Sequence, residues 1–111
     1  MERQTIEINK SLIPYTFIIT IGEEDFSLRV DYNNYGDFFT IELSKSGKTL
    51  CSGEPIVYGK RLFEGVRTPE FPAIDIVAID LSQNYNVVTY PNFGDTVLLF
   101  LDNAEETLIG G

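Results

Sequence analysis

The sequence predicts an all-β domain, a small antiparallel β-barrel or β-sandwich with little or no helix. Three observations carry this. Strand-like runs recur at a spacing of roughly ten residues with turn residues between them. No stretch holds a helical apolar period over three turns. The segments 74–81 and 96–101 are β-branched and almost continuously apolar.

Residues 15–21 and 26–32 set apolar side chains two apart, with polar residues between them in the second run. Gly22-Glu23-Glu24-Asp25 lies between, with a glycine able to take positive φ and three charges that favour water, so the two strands form an antiparallel hairpin. Asn33-Asn34-Tyr35-Gly36-Asp37 supplies residues that tolerate left-handed backbone, and 38–44 resumes the alternation as a third strand. Lys45-Ser46-Gly47-Lys48 is a tight turn, and 49–52 returns along the third strand. The first half is thus predicted to be a four-stranded meander.

The middle is less regular. Residues 60–65 have room for one helical turn before Gly65 stops it, and Thr68-Pro69-Glu70-Phe71-Pro72 reads as an irregular exposed connection because each proline fixes its own φ and extends its predecessor. The near-continuous hydrophobicity of 74–81 and 96–101 predicts central strands covered on both faces, or on one face and by a partner. Residues 82–86 and 90–94 are loop and turn by composition. The expected organisation is one β domain over 1–101 and a flexible C-terminal tail over 102–111.

Composition narrows the function. The chain has 111 residues, with 17 Asp and Glu against 8 Lys and Arg, a formal net charge of −9. That length fits a single domain, and 43% apolar with 13% aromatic residues is enough for a core. No apolar run approaches the ~20 residues of a spanning helix, and the N-terminus lacks the apolar stretch of a secretory signal, so a soluble chain without membrane insertion is expected. The acidic excess repels phosphate backbones and anionic lipids, which argues against nucleic acid and membrane as partners. With one cysteine and no histidine, an intramolecular disulfide and the zinc-finger and zinc-hydrolase ligand sets are excluded. The missing histidine also removes the commonest general acid and base, so we assign no catalytic residue, no metal, no cofactor and no small-molecule substrate.

Several groups have the residue types that chemistry needs. Glu23, Glu24 and Asp25 resemble a hard-cation cluster, but they lack the ligand spacing of an EF-hand and read better as a solvated hairpin tip. Asp75 and Asp80 are an odd number of positions apart on one strand, which sends them to opposite faces and leaves strand-end solubility as the better reading. Cys51 has only Lys45 and Lys48 near it in sequence and no base, so it reads as a small buried residue rather than a nucleophile. Gly47, Gly53, Gly59 and Gly65 recur every six residues without a P-loop ending, and turn geometry explains them. Lys60, Arg61 and Arg67 are the main basic concentration, with partner contact and plain solvation both open. Phe63, Phe71, Tyr85, Tyr90 and Phe93 stand in turns and connections. Together with Arg61 and Arg67 they are the candidate interface residues, the competing reading being that these loops fold back over the ends of the barrel.

Four segments in order suggest a family: Phe26-x-Leu28 followed by Tyr32-Asn33; Phe39-x-Ile41-Glu42-Leu43; Gly53-x-Pro55-Ile56-Val57-x-Gly59; and Tyr90-x-Asn92-Phe93-Gly94 before the last strand. This pattern, over about residues 6–100, resembles the phage baseplate plug family, the Gly-x-Pro segment being its most specific part. The chain departs from that family in having Phe39 where Trp is common, Arg61 where Asp is common, and a more acidic composition. The resemblance implies a non-enzymatic virion protein of the tail baseplate, assembled in the host cytoplasm. It would pack near the central hub and tail tube against hub, tube or wedge proteins and copies of itself. The other reading is a monomeric β-barrel binding module for a small ligand or carbohydrate, with Tyr85, Tyr90 and Phe93 near one end.

Overall fold

The computed structural model describes residues 4–66, 68–72 and 74–102. Among these, seven strands form two antiparallel sheets: β1 (Gln4–Ile6), β2 (Tyr15–Ile21), β3 (Glu24–Asn33), β4 (Phe38–Lys45), β5 (Lys48–Pro55), β6 (Asp75–Ile79) and β7 (Leu98–Asp102). The first sheet runs β2-β3-β4-β5, the meander expected from the two-residue period, and the second runs β1-β7-β6. The chain is all-β, with one short 3-10 turn at Lys10–Leu12 that Asn9 caps by accepting from the Ser11 N–H.

The period fixes the burial. In β3, Phe26, Leu28 and Val30 are buried, and in β4 so are Phe39, Ile41 and Leu43. These rows face each other in register, Leu28 opposite Leu43 and Val30 opposite Ile41. A one-residue slip of either strand would turn its row to water, so the register is firmly set. The β2–β3 hairpin closes through Gly22 (φ 60°) and Glu23 (φ 71°), two consecutive left-handed residues of the kind that match the twist of paired strands. Its tip is exposed, with Glu24 ion-paired to Lys45 and Asp25 accepting from Thr20 at 2.6 Å.

The second sheet needs no alternation, because β6 buries Ile76, Val77 and Ala78 in succession and β7 buries Leu99 and Phe100. Of the two segments expected to be central, β7 is central and β6 lies at the sheet's margin. The outer side of β6 is nevertheless occupied: Gly59 N–H donates to the Ala78 carbonyl at 2.8 Å and Leu62 N–H to that of Ile76 at 2.9 Å. Ile56 N–H donates to the Phe39 carbonyl at 2.8 Å. Residues 56–62 therefore join the two sheets along one side.

That engagement corrects the helical turn expected at 60–65. Leu62 gives its N–H to β6, Phe63 takes φ 64°, and the Phe63 N–H is bound by the Glu54 carboxylate at 2.8 Å, so the segment is a series of turns. β1, three residues long, is too short to leave a readable period and forms by pairing with β7. Asp102 closes β7, and the remainder of the expected tail lies outside the described residues.

Candidate interaction surface

The segment between β6 and β7 contains no strand, yet it is held in place by two buried polar side chains. Asp80 and Asn92 are the buried polar residues among those described. Asp80 Oδ1 accepts from the Ser82 N–H at 2.9 Å and the Ser82 hydroxyl at 2.6 Å, while Oδ2 accepts from the N–H groups of Asn84 at 3.1 Å and Tyr85 at 3.0 Å. The Ser82 hydroxyl foremost, then the backbone donors, hold the Asp80 carboxyl below the usual carboxylate range against the opposing pull of burial. Strand-end solubility is therefore the wrong account of Asp80. Its carboxylate is the internal template of a loop. Asp75, at the other end of β6, pairs with Arg61 at 2.9 Å.

Asn92 does the same for the second half of the loop. Its Oδ1 accepts from the Thr89 N–H at 2.8 Å, its Nδ2 donates to the Val87 carbonyl at 2.9 Å, and its own carbonyl receives the N–H groups of Asp95, Thr96 and Val97. This fixes Phe93, fully buried, with its ring 4.5 Å from Phe39. Gly94 follows at φ 84°, where a Cβ would come within 3.2 Å of the Ile8 carbonyl oxygen.

From this framework Leu81, Tyr85, Val87 and Tyr90 project into solvent, Leu81 at 65% exposure and Val87 at 53%. Tyr90 rests on Tyr32, with ring centroids 4.9 Å apart, under the Lys10 ammonium at 5.0 Å, and Lys10 Nζ donates to the Tyr90 carbonyl at 2.5 Å. Tyr32 in turn links the loop to the β3–β4 turn, because its hydroxyl donates to Asp37 at 2.6 Å; that bond, foremost, raises the Tyr32 pKa. The same turn carries Tyr35, which is 100% exposed on a backbone pinned by Asn33 Oδ1, the acceptor of the Tyr35 and Gly36 N–H groups. An apolar surface on a prearranged backbone loses little freedom when covered, which favours association. Exposed tyrosines are among the residues that anchor such contacts.

The candidate interface residues separate accordingly. Phe63, Phe71 and Phe93 are packed into the chain's own core, Phe63 and Phe71 with centroids 5.5 Å apart, because their loops fold back over the sheets. Tyr85 and Tyr90 are on the surface, Arg61 is exposed but tied to Asp75, and Arg67 lies outside the described residues. Leu81, Val87 and Tyr35 are surface residues that the apolar pattern of the sequence does not mark. Asp80-x-Ser82 and Asn33-x-Tyr35, side-chain acceptors two positions before an N–H donor, are the signals that could have found them. Cys51 is half-buried, and burial first, then Glu54, pushes its thiol pKa up, away from the reactive thiolate.

Compared with curated proteins, the chain has no match. The family described as the cyanophage baseplate Pam3 plug gp18 matches residues 3–105. That match spans both sheets and the templated loop between β6 and β7. The chain belongs to this family of baseplate plug proteins, and with it to the tail baseplate of a virion.

Proposed function

We propose that the chain is a non-catalytic packing component of the tail baseplate. It holds its place near the central hub and tail tube through contacts with neighbouring chains, copies of itself included. The hydrogen-bonded loop over 80–97 carries this reading, because it leaves Leu81, Tyr85, Val87 and Tyr90 exposed on a backbone already bound by Asp80 and Asn92. Covering an exposed leucine, tyrosine or valine contributes on the order of 1–3 kcal/mol each, and tyrosines at the centre of a contact commonly cost about 2 kcal/mol or more when truncated. The chemistry of Cys51 supports the same reading, since a thiol with a raised pKa is a poor nucleophile.

The test is incorporation into reconstituted baseplates. Leu81→Ser with Tyr85→Ser is expected to leave the melting transition of the isolated chain in place, because both side chains are exposed, and to reduce incorporation about tenfold or more. Wild-type incorporation of that double variant would remove the loop from the contact and the reading with it.

A further inference from the structure

We propose that the open seam between β1 and β2 receives one extended, basic segment of a neighbouring baseplate chain as an added strand; this rests on the reading as an assembly component. The two sheets are zipped on one side by residues 56–62, whose N–H groups reach both Phe39 of β4 and Ala78 and Ile76 of β6. On the other side the Asn9 N–H donates to the Tyr15 hydroxyl at 2.9 Å, and among the described residues no strand bridges the two sheets. β1 is the margin of one sheet and β2 the margin of the other, with no described strand beyond either. A cleft of about 510 Å³ runs between them, lined by Thr5, Ile6 and Glu7 from the β1 side and by Phe17, Ile18 and Ile19 from β2.

The hairpin register shows which backbone groups are unused. Ile21 faces Glu24 across a two-residue turn, so in the antiparallel alternation Tyr15, Phe17, Ile19 and Ile21 bond to β3, and Thr16, Ile18 and Thr20 turn their N–H and C=O groups toward the cleft. Such an edge is a template for strand addition. Its common protections are not in place on β2: over Tyr15–Ile21 there is no proline and no charged residue, and Ile18 is 71% exposed.

Charge selects the occupant. Glu7 stands on one lip of the cleft, and Glu23 and Asp25 stand at the hairpin tip where β2 ends, all exposed. A second copy would bring its own net charge of −9, and the chain's final residues 103–111 carry Glu105 and Glu106 with no Lys or Arg. A foreign segment with Lys or Arg among its outward residues complements the lips, while its backbone satisfies Thr16, Ile18 and Thr20.

Amide hydrogen exchange of the full chain, alone and within the assembled baseplate, tests this together with three substitutions at exposed Ile18. Expected are fast exchange at Thr16, Ile18 and Thr20 in the isolated chain and slowing of about tenfold or more on assembly. Ile18→Pro and Ile18→Lys should each lower incorporation about tenfold, the first by removing an outward N–H and the second by repelling a basic strand, while Ile18→Glu is tolerated. The charge pair keeps the test decisive if the proline variant fails to fold. Slow exchange already in the isolated chain means that the chain's own segment fills the seam, and tolerance of Lys with exclusion of Glu means an acidic occupant such as a second copy; either overturns the proposal. Incorporation with fast edge exchange retained overturns the seam alone, whereas a chain that never enters the baseplate overturns the proposed function itself.

Discussion

Residues 15–55 and 56–102 bury their side chains by different physics. In the first region, backbone groups are satisfied by neighbouring strands, and a two-residue apolar period decides which side chains leave water. In the second, two strands of five residues each leave most backbone groups to loops, and polar side chains serve in place of ladder partners: Asp80 and Asn92 within the long loop, Glu54 at Phe63. The meander is therefore held by pattern, and the rest by individual hydrogen bonds. Of the apolar groups a partner could cover, Leu81, Tyr85 and Val87 belong to the second, where no ladder positions them, and Ile18 and Tyr35 to an edge and a turn of the first.

The sharpest way to break this contrast is to truncate one ring from each region. Phe39 on β4 and Phe93 in the loop are both fully buried and touch each other. Each Phe→Ala change should cost about 3–5 kcal/mol in denaturant unfolding, and because the rings are in contact the double variant should cost less than the sum. If Phe93→Ala costs no more than an exposed position, the loop is a covering and not part of the core. Next in size, Asn92→Ala strands the Thr89 N–H and the Val87 carbonyl and should cost about 1–3 kcal/mol.

Asp80 gives a smaller, pH-dependent effect. Its folded pKa lies below the ordinary 3.8, so the folded chain binds a proton there less readily than the unfolded chain does. The stabilisation is fully present above the ordinary value and is lost as pH falls through the folded one. Amide protection of Asn84 and Tyr85 is expected to stay flat from neutrality to about pH 4 and to fall at lower pH. Asp80→Asn, which replaces one acceptor by a donor facing those N–H groups, should lower their protection at neutral pH and remove the acid-dependent fall. Unchanged protection in that variant would mean the loop is held by its packing alone.

The meander was legible in the sequence because its information is periodic: 15–21, 26–32 and 38–44 each state inside and outside by alternation, and Gly22 and Gly47 mark the reversals. Part of the second sheet was also legible, since the near-continuous apolar runs 74–81 and 96–101 supply β6 and, apart from Asp102, β7, with Leu81 at the end of the first run left exposed. The surface was read less well. Phe63, Phe71 and Phe93 look available in a linear reading, but the loops of Phe63 and Phe93 are folded inward by bonds to Glu54 and Asn92, partners distant in sequence or hidden in loop geometry, and Phe71 packs against Phe63. Asp80 was misread for a related reason, since a carboxylate at a strand end is ordinarily solvated and only the path of the next five residues turns it inward. Tyr35 reads as turn composition, yet an aromatic at the centre of an Asn-anchored turn has no core within reach.

Tyr35 also supplies the smallest expected change in stability and the cleanest separation of folding from assembly. Its ring is wholly in solvent, so Tyr35→Ala should alter unfolding by no more than about 0.5 kcal/mol. The turn itself stays, because Asn33 bonds to the Tyr35 backbone N–H and not to the ring. Any loss of baseplate incorporation in this variant must then come from a contact made by the ring in the assembly. The neighbouring Asn33→Ala change makes the converse case: it keeps the ring but frees the turn, so it should weaken incorporation through lost prearrangement while the isolated chain retains its core. Equal losses in the two variants would show that ring and anchor work together at one contact. A loss confined to Asn33→Ala would assign the contact to the backbone of the turn and leave Tyr35 without a role in it.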